Sequence, residues 1–292
     1  VKHDPLELSA PSGAAVVNAM TCDVEDYFQV SAFAPYIARD SWPQRECRVE
    51  ANMERILALF ERHGVKATFF TLGWIAERYP QVVRRIVAGG HELASHGYGH
   101  LRASDQNRAE FDNDIRSSKA LLEDIGGVPV IGYRAPSFSI GHGNLWALDA
   151  LREAGYRYSS SIYPVVHDHY GMPDAPRFAF YPQGPDGLLE VPITTVRMGS
   201  RNLPAGGGGY FRLLPYALSR WMLQRVNRDD RRSALFYFHP WEIDPGQPRP
   251  EGLDAKSRFR HYINIGRMER RLARLARDFK WDRMDQVFLP KP

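Results

Sequence analysis

The chain has 292 residues, 43% of them hydrophobic, enough for one large domain or two small ones with a substantial core. Its 38 basic residues against 34 acidic ones leave a formal charge of +4, too slight and too dispersed for a nucleic-acid protein. No run approaches the roughly 18 apolar residues of a membrane span, and Cys22 and Cys47 alone make no disulfide framework.

Residues 1–14 form a polar, proline-containing lead. Val1–Val17 lacks the charged start and apolar middle of a signal peptide, which points to the cytoplasm; a chain beginning with Val rather than Met leaves room for a removed leader and hence the periplasm. A buried strand is predicted from Ala14 to Cys22, ending in the acids Asp23, Glu25 and Asp26, with Cys22 as a buried, inert thiol. Met53, Ile56, Leu57 and Phe60 then trace the stripe of an amphipathic helix stopped by Gly64. Strand-like Lys66–Leu72 follows, then a helix over Ile75–Ala88 stopped by Gly89-Gly90, then a strand over His91–Ser95. A long helix through Phe111, Ile115, Leu122 and Ile125 ends at Gly126-Gly127 and leads into a strand over Val130–Tyr133. The remaining predicted elements are helices over Leu145–Ala154 and Leu214–Val226, extended segments over Tyr156–Ser160, Leu188–Ile193 and Ala234–Phe238, and a last amphipathic helix through Ile265, Met268, Leu272, Leu275 and Phe279.

Strands alternating with helices through Gly-ended turns imply βα units and a mostly parallel sheet, and about seven units favour a barrel. Chemistry in such barrels lies at the carboxyl ends of the strands. Asp23, His96, Arg134 and His239 each follow a predicted strand, so they are expected to converge on one mouth. The domain reading is a single barrel over residues 15–292, with 250–292 as a helical extension packed on it.

His96-Gly-Tyr-Gly-His100 can aim two imidazoles at one point if the backbone makes about one helical turn between them. In Asp23-Val24-Glu25, strand alternation puts both carboxylates on one side. One of them can complete a metal site with the two histidines, leaving the other beside it as a base. Two imidazoles and a carboxylate leave positions open for water and substrate, the layout of catalytic rather than structural zinc. A guanidinium from Arg134 inside the cluster would keep a carboxylate ionised. His239, emerging from Phe236-Tyr237-Phe238, is suited to general acid catalysis at a barrel mouth.

In order and separation, Asp23 with a nearby second acid, His96 to His100, Arg134-Ala-Pro136 and the late His239 resemble the motifs of the polysaccharide deacetylases, carbohydrate esterase family four. The Asp23–Phe28 run, Gly206–Gly209 before Tyr210-Phe211-Arg212, and the tail from His261 to Val287 resemble the branch associated with exopolysaccharide and exosortase loci. The resemblance implies a distorted (β/α) barrel and metal-assisted removal of N-acetyl groups from an N-acetylated glycan. It implies Glu25, His96 and His100 as metal ligands, Asp23 as base with Arg134 as partner, and His239 as acid. Pro136 and Ser137 would bind substrate, the Ser137 amide helping to hold the oxyanion. Zinc is the expected cation, with cobalt, nickel and manganese tolerating similar donors.

The sequence departs from the family pattern twice. The commoner form has two adjacent aspartates; here the choice is Glu25 or Asp26, and alternation favours Glu25. Many members carry an acid near Tyr158–Ser161 that tunes the catalytic histidine, where this chain has serines, so the orientation of His239 is unexplained. Rival readings are a hydrolase of small cyclic amides or ureides and a carbohydrate-binding protein without catalysis. Gly206–Gly209 reads as a flexible loop, His142, His167 and His169 as loop residues able to line a groove, and Trp241 and Tyr210 as sugar-stacking or packing residues.

Overall fold

The computed structural model describes residues 6–7, 16–167 and 171–290. Its centre is strand β1, Asn18–Val24, buried along its whole length. Parallel strands β2 (Thr68–Thr71), β3 (Glu92–Ser95), β4 (Gly132–Tyr133), β5 (Tyr158–Ser159) and β6 (Leu189–Glu190) follow in order along one side, and β7 (Leu235–Phe238) pairs on the other. These seven parallel strands curl into the distorted barrel that the sequence predicts. Phe180–Tyr181 and Leu6–Glu7 extend the β6 edge antiparallel, and Trp281–Asp282 pairs with the start of β1.

No described ladder joins β6 directly to β7, so the barrel is not closed by strand pairing alone. Residues 205–207 fill part of that gap: Ala205 N–H donates to the Thr194 carbonyl at 3.0 Å, and Tyr237 N–H donates to the Gly206 carbonyl at 2.8 Å. A side chain at Gly206 would meet the Leu235 carbonyl 2.2 Å away, which is why this strip is glycine. Gly206 and Gly207 are therefore buried backbone against β7 rather than the flexible loop expected, and Gly208 opens a short helix.

The helices match their caps. Helix α1, Val49–His63, ends at Gly64 with φ 62°, and the start of the helix over Arg108–Gly126 is closed by a reciprocal Asn107–Glu110 capping box. The helix expected over Ile75–Ala88 is instead two, α2 (Gly73–Arg78) and α3 (Pro80–Ala88), because Pro80 has no N–H to continue the first. Helices α4 (Arg108–Gly126), α5 (Trp146–Glu153), α6 (Gly208–Leu213) and α7 (Tyr216–Arg228) complete the outer layer.

Alternation along the strands sorts two cores. Met20, Cys22, Val24, Phe69, Phe236 and Phe238 face the helices, whereas Ala19, Phe70, Ala94, Tyr158, Leu235 and Tyr237 fill the barrel interior. Asp23, His96, Arg134 and His239 share the interior parity and lie at the carboxyl ends of β1, β3, β4 and β7. One refinement concerns β1, which runs two residues past the predicted end. Asp23 lies within the strand, and Glu25 is the first residue beyond it.

After β7, α8 (Ala255–Tyr262) and α9 (Ile265–Asp278) pack back on the barrel. Buried Ile265, Met268, Leu272 and Leu275 turn the apolar stripe of α9 inward, against α1 and the turn Pro240–Ile243. No described helix is long and apolar enough to cross a membrane.

Candidate active site

Four strand ends converge on a cavity of about 480 Å³, on whose wall lie Asp23, Glu25, His96, His100, Ser137 and His239. The link between the two histidines is a bend, not the helical turn expected: Gly97 takes φ 73° and His100 φ 54°. Gly97 is required there, since a Cβ would meet Asp114 Oδ2 at 2.7 Å. The N-terminus of α2 pins the bend, with Gly73 and Trp74 N–H donating to the Gly97 and Tyr98 carbonyls, both at 2.9 Å. The imidazoles of His96 and His100 lie 5.3 Å apart.

Glu25, His96 and His100 each offer a ligand atom within 4.8 Å of the others, and all three are buried. The donor chemistry fits a divalent cation. His96 Nδ1 donates to the Arg134 carbonyl at 2.7 Å, which leaves Nε2 as the free acceptor and fixes the ring. Burial pushes His96 down to about 4, so its imidazole is neutral at neutral pH. Glu25 Oε2 is buried, lies 2.8 Å from His100 Nε2, and makes no hydrogen bond, an orphaned acceptor that a cation between them would satisfy. Burial would raise the Glu25 carboxyl, but His100, His239 and His96 together outweigh it and hold it down at about 2.

Asp26, the other acid considered, faces away. Its Oδ2 accepts from Val49 N at 2.9 Å, Arg48 N at 2.5 Å and Cys47 Sγ at 3.0 Å, capping the start of α1, and its Oδ1 accepts from Tyr27 N at 2.7 Å. Arg134 is fully buried. Its Nη1 donates to Asp23 Oδ1 at 2.5 Å and to Thr21 Oγ1 at 2.9 Å, while Nε and Nη2 donate to Ser160 and its face lies 4.1 Å from Phe70. Asp23 Oδ2 stands 4.0 Å from His239 Nε2.

Ser137 lies on the cavity wall in the left-handed region, φ 56°, with its hydroxyl 2.6 Å from Ser31 Oγ. Pro136 is buried and is not part of that wall; its ring starts the short turn that presents Ser137. His167 lines the cavity, His142 sits exposed on Asp174 at 2.8 Å away from it, and His169 lies outside the described residues. Trp241 is 5% exposed, stacks on both His239 and His261, and donates to Glu25 Oε1 at 3.2 Å, so it is packing and not an open sugar platform. Tyr210 borders a neighbouring groove. Cys22 is buried and free, its thiol raised well above the ordinary range by burial.

The residue that orients His239 was missed in the sequence. Glu242 Oε1 accepts from His239 Nδ1 at 2.8 Å and from its backbone N–H at 3.0 Å, and Glu242 Oε2 accepts from Arg212 Nε at 2.7 Å. Burial would lower the His239 imidazole, but Glu25, Glu242 and Asp23 raise it to about 9. A cation on Glu25 would offset part of that pull. The readable signal was a His-Pro-x-Glu spacing, which on a tight turn brings i and i+3 together.

A family model described as Polysaccharide deacetylase matches residues 37–159, and one described as a domain of unknown function, DUF3473, matches residues 160–289. His96, His100 and Arg134 fall in the first match and His239 in the second; Asp23 and Glu25 precede both. A peptidoglycan-N-acetylglucosamine deacetylase of Bacillus cereus is 35% identical over 96 residues, 32% of this chain and 35% of that protein. A chitooligosaccharide deacetylase of Sinorhizobium fredii is 28% identical over 146 residues, 50% of this chain and 61% of that one. The crystal structure of a candidate polysaccharide deacetylase from Mycobacterium smegmatis shares the fold, with a TM-score of 0.63 at 20% identity over 97% of this chain and 92% of that chain. The chain spans between 35% and 46% of the length of the first curated relatives it matches. Through residues 37–159, the chain is similar to the polysaccharide deacetylases.

Proposed function

We propose that this chain is a metal-dependent hydrolase that removes N-acetyl groups from an N-acetylated polysaccharide or its precursor, in exopolysaccharide biosynthesis. The observation that carries the reading is the shared cavity wall of the Glu25–His96–His100 cluster, the Arg134-held Asp23 and His239. Zinc is the cation proposed, on a two-nitrogen, one-oxygen donor set, with cobalt, nickel and manganese as substitutes. When bound, the cation supplies positive charge that acidifies a water and steadies negative charge on a carbonyl oxygen.

The chain's own groups supply the rest. Asp23, fixed by Arg134, takes a proton of the attacking water on Oδ2. The Ser137 backbone N–H donates to the developing oxyanion. His239 Nε2 gives its proton to the departing amine, without which an acetamide nitrogen leaves poorly. The test is acetate release from N-acetylated chitooligosaccharides before and after exhaustive chelation and zinc return. Turnover that survives complete metal removal refutes the mechanism, and preference for ring amides over acetylated glycans refutes the substrate class.

A further inference from the structure

A histidine that hands a proton to a leaving group has to bury one nitrogen on a fixed partner and turn the other to the substrate. The serines of 159–161 do not provide that partner. Ser159 Oγ donates to Ser161 Oγ, Ser161 Oγ accepts from Ala135 N, and Ser160 receives Arg134. Glu242 does reach His239, and it is itself held. Arg212, 1% exposed, gives Nε to Glu242 Oε2 and its other donors to the carbonyls of Arg260, His261 and Ile263 at the end of α8. Gly208 leaves room for the carboxylate, because a Cβ there would lie 2.3 Å from Glu242 Oε1. The Gly206–Arg212 segment thus gains a purpose: bare backbone beside the carboxylate, then a guanidinium to brace it.

We propose that Glu242, braced by Arg212, is the positioning residue of the reaction, holding His239 with Nδ1 protonated and Nε2 directed into the cavity. The inference rests on the deacetylase reading above and on His239 as proton donor. In that step the C–N bond breaks, its electron pair stays on nitrogen, and the nitrogen takes the Nε2 proton; water gives one proton to Asp23 and adds its hydroxyl to the acyl carbon, which leaves as acetic acid. A purely structural ion pair joining α6, the 240–243 turn and α8 would support every substrate alike.

The test compares two leaving groups. An N-acetylated chitooligosaccharide needs the donated proton, whereas 4-nitrophenyl acetate expels a stable aryl oxide and does not. Glu242→Ala is expected to lower kcat on the amide by about 10²-fold. KM on the amide and turnover of the aryl ester should both stay within about threefold, the latter because its leaving group bypasses general acid catalysis. His239→Ala should show the same selectivity, and the double variant should be no worse than His239→Ala alone. Should Glu242→Ala fail to fold, Glu242→Gln, of the same shape, decides by the same ratio. Equal loss on both substrates, an unaffected amide, or additive losses in the double variant would overturn the positioning role. If His239→Ala itself spares the amide, the reading of His239 as donor fails first, and the positioning role falls with it.

Discussion

Arg134 Nη1 lies 2.5 Å from Asp23 Oδ1, with side-chain exposures of 0% and 3%. A charge so buried cannot fall back on water if its partner is removed, so the pair is held together by the cost of separating it. Arg134→Met is expected to destabilise the fold by about 3–5 kcal/mol, read from urea unfolding, because it leaves Asp23 buried and uncompensated. Asp23→Asn should instead cost about 10²–10⁴-fold in acetate release as the base is lost. Its zinc affinity by calorimetry should remain unchanged, and a parallel fall in affinity would place Asp23 among the ligands.

Glu25 and Asp26 are adjacent in sequence and serve different parts of the molecule. Removing the α1 cap with Asp26→Ala is expected to cost about 1–2 kcal/mol in unfolding free energy with no change in zinc affinity. Glu25→Gln or His100→Ala should abolish the zinc-dependent rise in melting temperature. A binding site saturated at 100 times its dissociation constant contributes about 2.7 kcal/mol to the unliganded fold. A full zinc shift in Glu25→Gln would remove that carboxylate from the metal site.

His91, beneath α1 and far from the cavity, gives a pH prediction independent of any cation. Burial, then Lys66 and Arg283, lowers its imidazole to about 4, and Nδ1 accepts from Ala67 N at 3.2 Å, a neutral-ring contact. The unfolded chain therefore takes up this proton near pH 6.5 while the folded chain resists until about 4. Its contribution is present above 6.5 and lost as pH falls toward 4, on the order of 3 kcal/mol in total. Glu92, raised to about 7 first by burial, acts in the opposite sense within the same window, which makes the comparison of variants essential. On going from pH 7 to pH 4.5, His91→Gln should lose less unfolding free energy in urea than the parent chain, or gain more; an unchanged response would contradict the assignment.

Gly208→Ala provides a further check on the acid side of the cavity. Its new methyl group would press on the Glu242 carboxylate, since the Cβ would lie 2.3 Å from Oε1 and 2.5 Å from Oε2. Amide turnover is expected to fall by about tenfold or more as His239 loses its partner. Zinc affinity, which depends on groups across the cavity, should hold.

Much of this arrangement was legible along the chain because it obeys short periods. Helical stripes at Met53–Phe60 and Ile265–Phe279, with Gly64 and Gly127 as stops, mark α1, α9 and the end of α4. Alternation placed Asp23 and Glu25 together, and Arg134 contacting both Thr21 and Asp23 is that alternation made physical. Other features were invisible for stated reasons. Pro80 split a helix whose apolar pattern continued across it, and the glycines at 206–208 look flexible in a list although β7 and Glu242 leave them no room for a side chain.

The sequence by itself determined the βα order, the strand ends that carry His96, Arg134 and His239, and the spacing that limits which acids can join them. Only the tertiary structure decided between neighbours: Asp26 to the helix start, Glu25 to the histidines, and Glu242 to His239 with Arg212 behind it. The physical reason is that periodicity reports which face a side chain takes, a local property. Which buried charge finds which partner depends on elements far apart in the chain, such as α6 and the turn after β7, arriving in one place and excluding water from it.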